Sequence, residues 1–308
     1  MSHHLFSGDA YEVLCSLAFK KYRGKVRTAI FSPPYYGKRI YGVDKEIGLK
    51  SLGEGHYISY LEKLLVYLTN HVLTADGSVW LNIKDSIVDG VYAGIPEYLV
   101  RILKENGIHK TGCAAWVCSN MGPSSDKRRF TEKWEPFYSF SRNKDYYFNI
   151  DPTREKPKYP EKRKAREALL SGKGSVSGNP GKFLAANPRG KNPGNAAVFW
   201  EAFEPSDLWC HPKANNHVSA NSATYPVELL RKPILACSDE GDYVLDCFCG
   251  EGSTLVQAEW LSRIPIGIDA SPEAVVRTGH RITETAKLKA AYRKMSNSDQ
   301  KLFDEIKL

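Results

Sequence analysis

Short β-rich runs alternate with helix-period runs near both ends of this chain, and no other feature constrains its fold as much. Residues 26–31 (VRTAIF) read as a strand. Apolar residues at helical spacing follow: Ile58, Leu61, Leu64, Leu65, Leu68 and Val72. Residues 78–83 (SVWLNI) read as a second strand, entered through Asp76-Gly77. Residues 95–105 read as a helix stopped at Asn106-Gly107. Residues 108–119 and 136–148 read as further strands. After a break the alternation resumes, with a helix at 226–237, a strand at 242–248, a helix at 253–261, a strand at 265–269 and a helix at 272–289. Such alternation predicts the α/β class, with a largely parallel sheet covered by helices on both faces. Each half is small for a domain. One sheet assembled from residues 1–119 and 216–308 is therefore expected, with residues 120–215 inserted.

Composition sharpens the picture at the insert. The chain has 308 residues, a net charge of +8, 42% hydrophobic and 25% charged residues, which argues against global disorder. Residues 152–195 hold eleven Lys/Arg and three acids, so this stretch alone carries +8 and the remainder is neutral. Residues 171–195 are rich in Gly, Pro, Ser and Asn, which cannot build a core. The stretch reads either as a solvated linker or as a phosphate-contacting arm. No apolar run reaches the ~18 residues of a membrane helix. The N-terminus lacks the layout of a secretory signal, so a cytoplasmic protein without membrane association is expected. Seven cysteines without a CxxC pair argue against a disulfide framework or a zinc ribbon. Cys210-His211 with His217 fits no common zinc spacing, and no metal is expected. His3 and His4 read as a disordered tail.

Two turns carry the chemistry. Asp246-Cys-Phe-Cys-Gly250-Glu-Gly252-Ser253 ends a strand and opens a helix. Glycines there admit a ligand close to the backbone, and the helix start presents N–H groups. The next strand ends at Asp269, where an acid suits ribose hydroxyls. The phosphate-binding GxGxxG pattern fails, since the sequence reads GEGSTL, so a nucleoside-type cofactor without a pyrophosphate is expected. The other turn is Ser32-Pro33-Pro34-Tyr35, directly after a strand. Its prolines fix φ and remove N–H donors. The Ser32 and Pro33 carbonyls can then stand as rigid acceptors beside the Tyr35 ring, which suits an exocyclic amine on a planar base.

These residues resemble the catalytic and cofactor motifs of S-adenosylmethionine-dependent amino methyltransferases acting on DNA. FSPPYYGKRIYG and DCFCGEGST carry the likeness, and further matches lie at Gly8-Asp9 with Glu12-Val13-Leu14, at SVWLNIKD, at 134–146 and at HVSANSATYPVELL (217–230). The catalytic motif precedes the glycine motif, the β arrangement of that family. The resemblance implies a Rossmann-like methyltransferase sheet plus a basic target-recognition region at 120–215. It implies catalysis at Ser32, Pro33, Pro34 and Tyr35, and S-adenosyl-L-methionine held by Asp9, Ser222, Asp246, Phe248, Gly250, Gly252, Ser253 and Asp269. Asp9 would reach the adenine, and the segment around Ser222 would close over the methionine end. Lys38, Arg39, Arg163, Lys164 and Arg166 are the expected DNA contacts.

Ser32 stands where adenine-specific members often have Asp, which points to cytosine N4. The resemblance thus implies a site-specific methyltransferase on double-stranded DNA, working beside a cognate restriction endonuclease in a bacterial cytoplasm at the nucleoid. A homodimer is compatible with such folds. Adenine N6, an RNA base, or a catalytically silent DNA-binding subunit are the alternatives. An aromatic ring at Tyr35 suits stacking on a base flipped out of the duplex. No cysteine nucleophile is needed; Cys247 and Cys249 would pack, and their thiols would sensitise the enzyme to alkylation. Asp85, after the 78–83 strand, is a candidate neighbour of the site.

Overall fold

The computed structural model describes residues 4–38, 42, 46–117, 127–154, 225–296 and 300. Arg39, Arg163, Lys164, Arg166, Ser222, His3, Cys210, His211, His217 and nearly all of the basic stretch lie outside these residues.

Strand β1 (His4–Ser7) leads into α1 (Ala10–Cys15), then β2 (Val26–Phe31) and α2 (Glu54–Tyr67). A π-helical turn, Leu68–Val72, carries α2 into β3 (Leu73–Asn82). A small hairpin, β4 (Ile87–Val88) and β5 (Val91–Tyr92), precedes α3 (Ile95–Glu105), β6 (His109–Val117) and β7 (Trp134–Ser141). The later part comprises α4 (Arg231–Cys237), β8 (Tyr243–Asp246), α5 (Ser253–Trp260), β9 (Ile264–Asp269) and α6 (Pro272–Tyr292).

Among the described residues, seven strands form one sheet in the order β1-β9-β8-β2-β3-β7-β6. The pairs from β1 to β3 are parallel, while β7 runs antiparallel to both β3 and β6. The chain is thus an α/β protein with a mixed sheet. β8 steps outward to β9 through α5, and β2 steps the opposite way to β3 through α2. The centre of the sheet, between β8 and β2, is therefore a topological switch point, where the loops diverge and leave a crevice.

Alternation along the strands builds a core on each face. Ala29, Phe31, Val79, Leu81 and Leu245 pack with Leu61, Leu64 and Leu65 of α2 and Leu99 and Leu103 of α3. Ile30, Trp80 and Val244 point the other way, onto Leu229, Leu230, Ile234 and Ala258. Leu61 and Leu64 are wholly excluded from solvent, and burial of each such leucine is worth about 1.5–3 kcal/mol.

Several boundaries move from their expected places, each for a local reason. His4 is no tail: it opens β1, pairs with Ile266 of β9, and its Nδ1 meets the Tyr22 hydroxyl at 2.7 Å. The 226–237 helix begins as a 3-10 turn at Val227–Leu230 and becomes α-helical only at Arg231. Pro233 is tolerated only in a first turn, which fixes that start. β7 stops at Ser141, where the Asn143 side chain accepts from the Asp145 N–H at 2.9 Å and turns the chain.

Candidate active site

The carboxyl ends of β1, β9, β8, β2 and β3 lie along one edge of the sheet, and the amino end of β7 joins them. At the switch point Ala29 of β2 sits beside Leu245 of β8. The two turns singled out in the sequence therefore emerge next to each other, although they are more than two hundred residues apart along the chain.

The glycine turn is held from below. Asp246 is buried, and its carboxylate accepts from the Phe248 N–H at 2.9 Å and from the Thr254 hydroxyl at 2.6 Å. Tyr225 stands 2.7 Å from the Thr254 hydroxyl and 3.3 Å from Asp246 Oδ2. Burial pushes the Asp246 carboxyl up to about 7, against the hydrogen bonds of Thr254 and Phe248; the Asp269 charge adds to the rise. The folded value exceeds the unfolded one near 3.8, so this group's contribution to stability falls as pH climbs from about 4 to about 7. A cation bound at this edge would offset that loss.

Asp269 ties β9 to the same turn, accepting from the Gly250 N–H at 2.8 Å and the Ser271 N–H at 2.9 Å. Burial raises its carboxyl too, while those two N–H groups oppose the rise. Glu251 turns away: it pairs with Arg277 of α6 at 3.1 Å. Thr278 of α6 donates to the Gly250 carbonyl at 2.9 Å. A Cβ built on Gly250 would meet only the Phe248 carbonyl, at 4.0 Å, so the turn leaves open space there. Phe248 is half-buried, its ring 5.7 Å from that of Phe31. Ser253 is buried as the first residue of α5. Two carboxylates at neighbouring strand ends, a glycine open on one side and an apolar ring make a donor set that suits a cationic nucleoside.

Asp9 caps α1, accepting from the Glu12 N–H at 2.9 Å, and also accepts from the Tyr60 hydroxyl at 2.7 Å. It stands just beyond β1, where the Gly8 N–H donates to the Asp269 carbonyl at 2.9 Å.

The Ser32–Tyr35 turn is fixed from the other side. Pro33 is buried; Ser32, Pro34 and Tyr35 are half-buried. The Tyr35 hydroxyl lies 2.9 Å from Asn82 Oδ1 at the end of β3 and 2.9 Å from Glu135 Oε2 on β7. The Asn82 amide nitrogen donates to the Pro136 carbonyl at 3.0 Å, which aims its oxygen at Tyr35. Burial raises the Tyr35 phenol well above its ordinary range, and the Glu135 charge adds to this. The next residue is pinned as well: the Ser86 hydroxyl donates to the Tyr36 carbonyl at 2.5 Å. Asn82, Glu135, Tyr60, Tyr225 and Thr254 are the parts of this arrangement that sequence reading misses.

Asp85 neighbours the site, since the adjacent Ser86 bonds Tyr36, and its role there is a structural cap: its oxygens accept from the N–H groups of Ser86, Gly94 and Ile95 at 2.9–3.1 Å, fixing the start of α3. One expectation needs correction. Cys247 and Cys249 are buried, and burial pushes both thiols well above the usual range, so neither is an accessible thiolate for alkylation. Lys38 is exposed just after the Tyr35 turn.

The chain resembles curated type II methyltransferases along most of its length. It is 28% identical over 302 residues to M.Cfr9I of Citrobacter freundii, covering 88% of this chain and 84% of that one. It is 27% identical over 309 residues to M.XycI of Xanthomonas campestris pv. cyanopsidis, covering 90% and 87%. Among solved structures, the PvuII DNA methyltransferase (cytosine-N4-specific) superposes with a TM-score of 0.61 at 18% identity, over 92% of this chain and 91% of that one. A putative DNA modification methylase of Thermus thermophilus, solved with S-adenosyl-L-methionine, superposes at 0.57 and 18% identity, over 92% and 95%. These two share the fold. The N6_N4_Mtase profile, described as DNA methylase, matches residues 26–278, and the chain belongs to that family.

Proposed function

We propose that this DNA methylase uses S-adenosyl-L-methionine to methylate the N4 amine of cytosine at a specific site in double-stranded DNA. The observation that carries the reading is the meeting of the Ser32–Tyr35 turn and the Asp246–Asp269 carboxylate pair at one switch point. Ser32 at the first motif position supports N4 over adenine N6.

The cofactor, when bound, supplies an electrophilic methyl on a cationic sulfur. Asp269 would receive the ribose hydroxyls, Asp9 the adenine amine, and Phe248 the apolar side of the nucleoside; Asp246, Gly250, Gly252 and Ser253 shape the turn beneath it. Ser222 is assigned to the methionine end. An exocyclic amine is a poor nucleophile because its lone pair is delocalised into the ring. Carbonyl and hydroxyl acceptors on Ser32 and Pro33 would hold its hydrogens and draw the nitrogen toward tetrahedral geometry. Pro34 keeps that turn rigid, and Tyr35 offers its ring to the base. The transfer is direct, with no covalent enzyme intermediate. Flipping the base out costs a few kcal/mol, offset by stacking and phosphate contacts.

Residues 1–119 and 216–308 would then be the catalytic and cofactor-binding part, and 120–215 the target-recognition region. Lys38, Arg39, Arg163, Lys164 and Arg166 are assigned to DNA. The relatives' type II names support a modification role beside a cognate restriction nuclease in a bacterial cytoplasm. Incubation with labelled S-adenosylmethionine and mixed-sequence duplex DNA, followed by digestion to nucleosides and mass spectrometry, tests all of this. Label in N4-methylcytosine is expected. Label in N6-methyladenine would replace the target, and no label in any DNA would end the enzymatic reading.

A further inference from the structure

Beside the Ser32–Tyr35 turn the sheet edge carries a feature that methyl transfer does not use. Residues 127–134 run into β7, and β4–β5 folds against them. Glu132 locks the two together: it accepts from the Tyr92 hydroxyl and pairs with Lys84 at 2.7 Å. Arg129 donates to the Gly90 carbonyl at the hairpin tip, with its guanidinium 5.5 Å from the Tyr92 ring centre. Although partial burial works against it, Glu132 is held below the usual carboxylate range by Lys84, Tyr92 and the nearby charge of Lys38.

On this braced segment Phe130 is 99% exposed. Lys127, Arg128 and Lys133 around it are exposed too. One exposed ring is ordinary on a protein surface; the collar of cations around this one makes the segment complementary to a polyanion and names what would cover it. Phe130 lies five residues before Glu135, which bonds Tyr35, so it sits within ~18 Å of that residue along the chain. This is the layout of an apolar wedge that enters a base stack while cations hold the flanking phosphates.

We propose that residues 127–134 dock the duplex beside the extruded nucleotide, and that Phe130 enters the stack and offsets the cost of opening it. The proposal rests on the DNA-methylating function above.

The test compares wild type with Phe130→Ala on synthetic duplexes carrying the methylated site, located beforehand by methylation-sensitive sequencing of DNA treated with wild type. One duplex is fully paired. The other has a mismatch opposite the target base, which weakens its hold in the stack. On the paired duplex kcat/KM of Phe130→Ala should fall about tenfold or more, and on the mismatched duplex it should approach wild type. Cofactor affinity and Tm should stay unchanged. An equal loss on both duplexes, no loss on either, or a lowered Tm would overturn the wedge; a lowered Tm would mean that Phe130 packs within the protein. If wild type methylates neither duplex, the proposed function itself falls.

Discussion

A phenol that meets both a buried carboxylate and an amide oxygen cannot swing freely, and Tyr35 is in that position. Its ring is offered to the crevice at an angle set by Asn82 and Glu135. Tyr35→Phe should keep the ring but remove the donor facing Glu135. A loss of about 1.5–3 kcal/mol in denaturant stability is expected, shrinking to about 0.5–1.5 kcal/mol when Glu135→Gln is already present, because the amide still accepts but carries no charge. Equal losses in both backgrounds would mean that the hydroxyl does not serve Glu135. The Ser32–Tyr35 and Asp246–Ser253 turns are legible because each is contiguous, and Asp269 because it closes the next strand. Their supports are not, since Asn82 and Glu135 lie 47 and 100 residues from Tyr35. No spacing rule joins three strands of one sheet. Asp85 shows the converse problem: an acid at a strand end reads the same whether it faces a ligand or caps the next helix.

At the scale of elements, the turn between β8 and α5 contains two glycines with different duties. Both adopt positive φ, +50° at Gly250 and +79° at Gly252. A Cβ on Gly252 would also strike the Thr278 side chain at 2.7 Å, which would force α6 away from the turn. Gly252→Ala should therefore lower stability by about 1–3 kcal/mol, and its Tm should fall. Gly250→Ala meets no such wall. It should lose only the cost of a left-handed alanine, about 1 kcal/mol, and should lose S-adenosylmethionine affinity in calorimetry, because its methyl enters the open space. Identical profiles for the two variants would refute this division. β2 is legible in the sequence to the residue, since a hydrophobic run ends there in Ser-Pro-Pro. β1 is not, because four residues at a sheet edge carry too short a pattern to separate from a tail.

Across the whole molecule, the net charge is concentrated in one stretch of the sequence. The α/β body balances its bases and acids, and residues 152–195 carry the entire +8. If that stretch is the DNA-facing arm, replacing Arg163, Lys164 and Arg166 with Ala should weaken DNA binding. It should also flatten the slope of log K against log salt by about 2–3, with cofactor affinity unchanged. An unaltered slope would return the stretch to the role of linker. The seam between β2 and β8 has a consequence of another kind. Its two sides come from opposite ends of the sequence, so during synthesis β2 must wait, one edge unpaired, until residues 243–246 leave the ribosome. The nascent protein would therefore be inert toward DNA and prone to aggregate until that segment has emerged. Competence to modify DNA would arrive abruptly, when the seam closes.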